Sequence, residues 1–393
     1  MKRVKLIHED LNAGGGAERL AAASLETLKE LDFSVDLVTF TKPNWNELER
    51  IFGISKLRNF VNNVIKADIN SLLGDDSNGQ SDNNEYDIIM NAHGDILPSN
   101  MLAAGRQMLI TYCHYPLVPE LIHNLKYDTV LRNYLHMSNY KNTSLDKLRS
   151  KALAVYNHMI NNSTVVTNSV FSSNAVQLYY PHAHPLIIYP PVDIEFFSRV
   201  VNSDSRENRI VVLGRYNPDK NIELALEVAK VLKIMNIKFE MSIVGNLSKS
   251  YYPYYNYLQK LVKKYELSDM VELKTNVDIH DLLHVFAKSK VLFHPTVGEP
   301  FGMCVAEAMS AGLVPVVPTF GGNTEFVPES LRYNNSKEAA KIIMRSMNAS
   351  IHQRLHLSNS VKKFSKKRFK DGFRNLLVSR VTSKSDPISL QVS

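Results

Sequence analysis

Thr296-Val-Gly-Glu-Pro-Phe-Gly-Met-Cys-Val-Ala-Glu307 sets two carboxylates, Glu299 and Glu307, eight residues apart around a Pro-Phe-Gly turn. Upstream, residues 290–295 form an apolar run that predicts a buried parallel strand. Downstream, Val305, Ala306, Met309 and Ala311 predict a helix, which Gly312 ends as its C-cap. A strand, a glycine turn and a helix in succession offer unpaired backbone N–H groups to an anion. This places Glu299 in the mouth of a site and Glu307 about two turns into the helix, suited to two hydroxyl-bearing parts of one ligand that carries both phosphate and sugar. Taken alone, two glutamates near a helix start are also ordinary partners of the macrodipole on a solvated face, so the rest of the chain has to decide.

The 393 residues suffice for about two domains, each with its own core. At 44% hydrophobic and 22% charged the composition is that of a globular protein, and no run of 18 apolar residues predicts a membrane-spanning helix. The N-terminal MKRVKLIHED reads as a first β-strand rather than a signal peptide. Cys113 and Cys304, the two cysteines, fall in separate apolar surroundings and read as free buried thiols of a reducing cytoplasm, not as a disulfide or a metal site. A formal charge of +7 would permit nucleic-acid binding, but the basic residues are dispersed except near the C-terminus. There Lys362, Lys363, Lys366, Lys367, Arg368, Lys370 and Arg374 share an expected helix with Phe364, Phe369 and Phe373. The first reading of that helix is a basic face over an aromatic core face. An anionic membrane surface comes second, and nucleic acid, which is not expected, a distant third.

Both halves open with a strand and a glycine-marked turn. In the first, a strand at 4–8 leads through Gly14-Gly15-Gly16 to a small-residue helix at 20–31 and a second strand at 35–40, a β-α-β unit of a parallel sheet. Further strands are predicted at 86–91, 107–113 and 164–167, with a polar surface loop at 74–85. After Tyr189-Pro-Pro-Val-Asp193 and a polar linker at 202–208, the second half repeats the alternation. Its strands are predicted at 209–213, 239–244, 271–273 and 314–317, its first helix at 222–232, and the last strand leads into Phe320-Gly-Gly-Asn-Thr-Glu325. Two Rossmann-like domains are therefore expected, with ligands at the carboxyl ends of the strands.

Gly214-Arg215-Tyr-Asn-Pro-Asp-Lys220-Asn221 directly follows a predicted strand, so Arg215 and Lys220 are expected at the sheet edge that carries Glu299, where both could neutralise a diphosphate. The glycines at 14–16 would let a backbone approach phosphate or sugar, but their spacing fits neither the dinucleotide fingerprint nor a Walker A loop. His114, in Thr111-Tyr-Cys-His-Tyr-Pro116, ends an apolar strand and is expected at the sheet edge; histidines so placed are more often structural than catalytic. No D-x-D or C-x-x-C spacing is present, and no metal-ligand set is expected.

In combination, GGGAER, the strand ending in His114, Thr167-Asn-Ser, YPPVD, GRYNPDKN and EPFGMCVAE with AMSAG resemble the family 4 retaining glycosyltransferases of the GT-B fold over nearly the full length. YCHYP and YPPVD look most like the cytosolic mannosyltransferases that extend dolichol-linked oligosaccharides. The resemblance implies an α/β GT-B architecture with two Rossmann-like domains facing each other across a cleft: an acceptor domain at 1–196, a donor domain at 197–360, a basic helix at 361–380 packing back on the first domain, and a disordered tail at 381–393. It implies that Glu307 binds the nucleotide ribose, Glu299 the donor sugar, and Arg215 and Lys220 the diphosphate, helped by the backbone N–H groups of Phe301, Gly302 and Met303. His114 would contact the transferred sugar, Gly15 and Gly16 would border donor and acceptor, and Val277 would lie against the base.

The implied reaction is retaining transfer of a hexose, mannose being one candidate, from GDP-mannose or a UDP-sugar to a glycan or polyprenyl-linked acceptor, with no metal or other cofactor. The enzyme would be cytoplasmic and peripheral on the cytosolic face of a membrane, and the acceptor would be read by residues 115–156. The competing readings are an epimerase or hydrolase of the same fold acting on a nucleotide sugar, and a non-catalytic binding subunit.

Overall fold

The computed structural model describes residues 2–67, 85–94, 107–123 and 145–382. Most of the polar loop expected at 74–85, residues 124–144 of the expected acceptor stretch, and the tail from 383 onward lie outside them. The chain divides into two compact units, residues 1–191 with 367–393, and residues 192–366.

Unit 1 holds a seven-stranded sheet of β1 (Arg3–Ile7), β2 (Ser34–Thr39), β3 (Asn63–Lys66), β4 (Ile88–Asn91), β5 (Met108–Cys113), β6 (Thr164–Thr167) and β7 (Leu186–Ile187). Their order is β3-β2-β1-β4-β5-β6-β7, and every pairing is parallel. The central strands are buried on both faces, as parallel strands covered by helices must be; Val4, Leu6, Ile88, Met90 and Ile110 are at most 1% exposed. The helix Gly16–Glu30 starts four residues earlier than its apolar pattern suggested. Its Ala21, Ala22 and Ala23 pack into the core, and its buried Ser24 and Thr27 hydroxyls donate to the carbonyls of Leu20 and Ala23 four residues back.

The C-terminal helix Lys366–Thr382 completes the core of unit 1. Phe369, Phe373, Leu376 and Leu377 join the cluster that holds Val4 and Ala22. Lys370 reaches Glu26 at 3.3 Å and also Glu30, and Arg374 reaches Glu30 at 3.1 Å, so two cations of the basic cluster are paired within the unit. Phe364 precedes this helix, in a 3-10 turn, and packs in unit 2 against Phe301 and Phe326. The three phenylalanines expected on one helix face therefore serve two cores.

Unit 2 holds β8 (Arg209–Leu213), β9 (Glu240–Gly245), β10 (Val271–Thr275), β11 (Val291–Phe293), β12 (Val314–Pro318) and β13 (Arg332–Tyr333) in the order β10-β9-β8-β11-β12-β13, again parallel throughout. The order reverses between β1 and β4 in the first sheet and between β8 and β11 in the second. Such reversals open a crevice at the strands' carboxyl ends, because the connections leave on opposite faces.

Within the polar stretch 202–208, Arg206 anchors unit 2. Its guanidinium donates to the carbonyls of Phe286 and Ser289 at the end of one helix, of Val200 and Val201 at the end of a 3-10 turn, and of Ala311 at the end of the helix that carries Glu307. Three sets of carbonyls left without helical partners converge on one planar fork of donors. Burial lowers the Arg206 pKa to about 10, so the group stays charged at neutral pH.

Arg206→Met should cost about 3–5 kcal/mol in urea unfolding, because five carbonyls lose a charged donor at once. Arg206→Lys should recover less than half of that loss, since an ammonium cannot reproduce the fork. Phe369→Ala should cost about 3–5 kcal/mol, and the loss should appear in unit 1, as protection lost from the amides of β1 and β5 in hydrogen exchange.

Candidate active site

At the carboxyl edge of the second sheet, β8 is followed by Gly214 and Arg215, and the chain turns through the 3-10 segment Pro218–Lys220 into the helix Ile222–Ile234. Asn221 sits at φ 48°, a left-handed conformation that asparagine tolerates better than most residues. The turn is held by the end of β9, where Gly214 N–H donates to Val244 and Tyr216 N–H to Asn246. A Cβ on Gly245 would lie 1.8 Å from the Gly214 carbonyl oxygen, so only glycine lets these two backbones meet.

β11 delivers the other half. The strand is shorter than the apolar run, ending at Phe293, and leaves His294 as the first residue beyond it. Lys220 Nζ and Glu299 Oε2 are 2.7 Å apart, and the same carboxylate oxygen is 3.7 Å from His294 Nε2. Burial opposes the charge on both members of the ion pair, but their mutual attraction outweighs it: the Lys220 pKa is raised and the Glu299 pKa lowered. Burial drives His294 down to about 4, leaving a neutral imidazole at pH 7. Cys304, near His294, is pushed up to about 12 by burial and stays a thiol. Arg215 is exposed and makes no ion pair or side-chain hydrogen bond among the described residues, while its charge acts on both Lys220 and Glu299. The site thus holds one neutralised cation, one uncommitted cation and a carboxylate fixed in its charged form.

The turn that carries Glu299 is fastened to the loop after β12: Gly298 N–H donates to Phe320, and Gly322 N–H to the Glu299 carbonyl at 2.7 Å. A Cβ on Gly322 would meet the Pro300 oxygen at 1.9 Å. Gly302, at φ 89°, caps the helix Met303–Ser310. Because that helix begins at Met303, Glu307 is one turn into it rather than two, and it is 3% exposed. The Phe301 ring belongs to the core, packed against Phe326 and Phe364. Val277 follows β10 at the far side of the same edge and is half-buried.

Two residues of this edge escaped the sequence reading. His294 was absorbed into the strand, although a polar residue closing an apolar run before a proline is the signal that marked His114. Asn323, in Phe320-Gly-Gly-Asn-Thr-Glu325, is fully buried against Gly302, and neither polar atom of its side chain has a hydrogen-bond partner. An unsatisfied buried amide costs about 1–3 kcal/mol and is expected where a ligand completes the site.

His114, Gly15 and Gly16 lie in unit 1. His114 follows β5 and donates from Nε2 to the Ala92 carbonyl at 3.1 Å, while burial lowers its pKa to about 4. The glycine turn is not an open anion cradle. The Gly15 N–H is taken by Glu18 Oε2 at 2.6 Å, and the other oxygen of that carboxylate lies 3.6 Å from the buried His8. At the β1–β4 reversal His93 stacks edge-on against His8 and pairs with Glu9 at 3.0 Å. The unit 1 edge is thus lined by histidines and carboxylates, a hydroxyl-binding rather than a phosphate-binding set.

Residues 193–367 match the family described as glycosyl transferases group 1. Among curated proteins, the mouse GDP-Man:Man(3)GlcNAc(2)-PP-Dol alpha-1,2-mannosyltransferase is 23% identical over 296 residues, 67% of this chain and 59% of that protein. The Caenorhabditis elegans protein of the same name is 28% identical over 147 residues, 35% of this chain and 31% of that one. The chain therefore spans less than two thirds of the length of these relatives. Among solved structures, Anabaena HepE in complex with UDP and glucose superposes with a TM-score of 0.68 at 16% identity, covering 98% of this chain and all of that one. Sucrose-phosphate synthase from Thermosynechococcus elongatus gives 0.69 at 15% identity, with the same coverage. These likenesses show the GT-B fold. In sequence, residues 193–367 resemble the glycosyl transferases of group 1.

Proposed function

We propose that this protein is a retaining hexosyltransferase that moves mannose from GDP-mannose to a glycan or polyprenyl-linked acceptor, a UDP-sugar being the alternative donor. The observation that carries the reading is the Lys220–Glu299 pair beside the uncommitted Arg215, at the strand-order reversal of the second sheet. The mannosyltransferase names of the curated relatives support the choice of sugar and of lipid-linked acceptor. The relatives' dolichol-linked acceptors also support a peripheral contact with an anionic membrane surface on its cytosolic face.

The chemistry follows from the leaving group. As the bond between the anomeric carbon and the diphosphate breaks, the acceptor oxygen bonds to that carbon and its proton passes to the departing phosphate; in the transition state positive charge develops on the sugar and negative charge on the departing oxygen. Arg215, Lys220 and the N–H groups of Phe301, Gly302 and Met303 stabilise that negative charge without reorganising. Glu299, kept ionised by Lys220, accepts hydrogen bonds from the sugar hydroxyls, and Glu307 accepts them from the ribose. His294, neutral and 3.7 Å from Glu299, adds no charge to the site. These groups supply everything the transfer asks of unit 2, and no metal is assigned a role.

Calorimetric titration with GDP-, UDP-, ADP- and dTDP-sugars tests the donor. GDP-mannose should bind, and Glu307→Ala should weaken it about 10–100-fold, the equivalent of a lost hydrogen bond to a charged group. Lys220→Ala should lower turnover about 100–1,000-fold with a smaller effect on binding. Small and equal effects from both substitutions would sink these roles. Binding of no donor would favour the non-catalytic reading.

The ion pair also has a pH signature. Glu299 titrates below its ordinary value, so its contribution to stability is present above the usual carboxylate range and is lost as pH falls through the lowered pKa. Lys220 titrates above its ordinary value, so its contribution is full below the usual lysine range and is lost as pH rises through the raised pKa. Glu299→Gln should cost about 2 kcal/mol across the plateau between these limits, and urea unfolding should show that difference shrinking at acid pH.

A further inference from the structure

Residues 246–265, Asn-Leu-Ser-Lys-Ser-Tyr-Tyr-Pro-Tyr-Tyr-Asn-Tyr-Leu-Gln-Lys-Leu-Val-Lys-Lys-Tyr, contain six tyrosines and four lysines without one acidic residue. They form a 3-10 turn, Lys249–Tyr251, and the helix Tyr252–Lys264 of unit 2. The helix buries Leu258, Leu261 and Val262. Tyr254 also turns inward and donates to Glu223, and the Tyr255 ring packs edge-on against Tyr216. At 3.6 residues per turn, Tyr252, Asn256, Lys260 and Lys263 fall on one line, with Tyr257 and Lys264 beside it. This is the outward face: Tyr251, Tyr252 and Tyr257 are 39%, 50% and 45% exposed, and Lys249, Lys260, Lys263 and Lys264 are all exposed.

None of these four lysines makes an ion pair or side-chain hydrogen bond among the described residues. The nearest acidic residue in sequence, Glu266, is already paired with Lys233 at 3.0 Å. The face is therefore positive and uncompensated. In the C-terminal helix Lys370 and Arg374 are neutralised by Glu26 and Glu30, while Lys367 is exposed and makes no ion pair among the described residues.

The geometry points to this tyrosine–lysine face as the surface that docks on an anionic bilayer. Tyrosine rings with an apolar body and a polar tip settle at headgroup depth, where both ends are satisfied. Lysine stems lie along the surface and deliver their ammonium groups to anionic headgroups. A soluble polyanion without aromatic groups would satisfy the lysines but leaves the half-exposed rings unexplained. The inference rests on the membrane contact proposed above and gives it a location.

Co-sedimentation of the full chain with phosphatidylcholine vesicles, with and without phosphatidylserine, tests it. The protein should bind the anionic vesicles only, and less as salt rises. Each lysine near such a surface contributes about five-fold, so Lys260→Gln/Lys263→Gln/Lys264→Gln should weaken binding on the order of a hundred-fold. Tyr252→Ser/Tyr257→Ser should weaken it while leaving the salt dependence in place. Both variants should melt as the wild type does, because the altered side chains are exposed. Failure of the wild type to bind anionic vesicles would remove the membrane contact and this inference together. Wild-type binding that the triple variant retains would put the contact elsewhere and overturn the inference alone. Heparin binding without vesicle binding would assign the face to a soluble polyanion instead.

Discussion

Two close backbone approaches hold the second unit's functional edge together. Gly245 lets the end of β9 touch the turn after β8, and Gly322 lets the loop after β12 touch the Glu299–Pro300–Phe301 turn. A single Cβ at either place would fall less than 2 Å from a carbonyl oxygen. Because the loops meet, the side chains they carry are set by backbone hydrogen bonds rather than by their own packing. Lys220 and Glu299, 79 residues apart, reach 2.7 Å for that reason.

The electrostatics follow from that enforced closeness. A lysine and a glutamate in a partly desolvated crevice would each be driven toward neutrality if alone. Held together they stay charged, and the carboxylate has a histidine that burial keeps neutral as its second neighbour. Arg215 is left outside the pair as the cation that a diphosphate would find uncommitted. Asn323 adds a buried amide whose hydrogen bonds are unmade. The unit 1 edge is built on another principle: its glycine turn already has a carboxylate, Glu18, on the N–H that a phosphate would need, and imidazoles surround it. Two sheets of the same strand order thus present different chemistry because different side chains leave the same strand ends.

The apolar alternation made most of the fold legible in the sequence. β6 and β8 occupy the residues their runs predicted, and the other central strands differ only at their ends. The short edge strands β3, β7 and β13 left no such trace, since two to four residues at a sheet's rim carry too little burial to leave a period. The same logic explains His294. A run that ends in Phe-His-Pro reads as strand to its end, but the register with β8 stops at Leu292 and that with β12 at Phe293.

By itself the sequence determined the class of the fold, the strands that bear the site and the identity of most of its polar groups, because burial and turn chemistry are local and periodic. Tertiary structure alone decided which of those groups meet. It put Glu299 on Lys220 and His294, took the Gly15 N–H away from any phosphate, and split one basic aromatic stretch so that Phe364 serves one core and Phe369 another. It also left the lysines of the helix at 252–264 without ion pairs among the described residues, beside its exposed tyrosines. Such outcomes depend on distances between residues far apart in the chain, and no period or spacing encodes them.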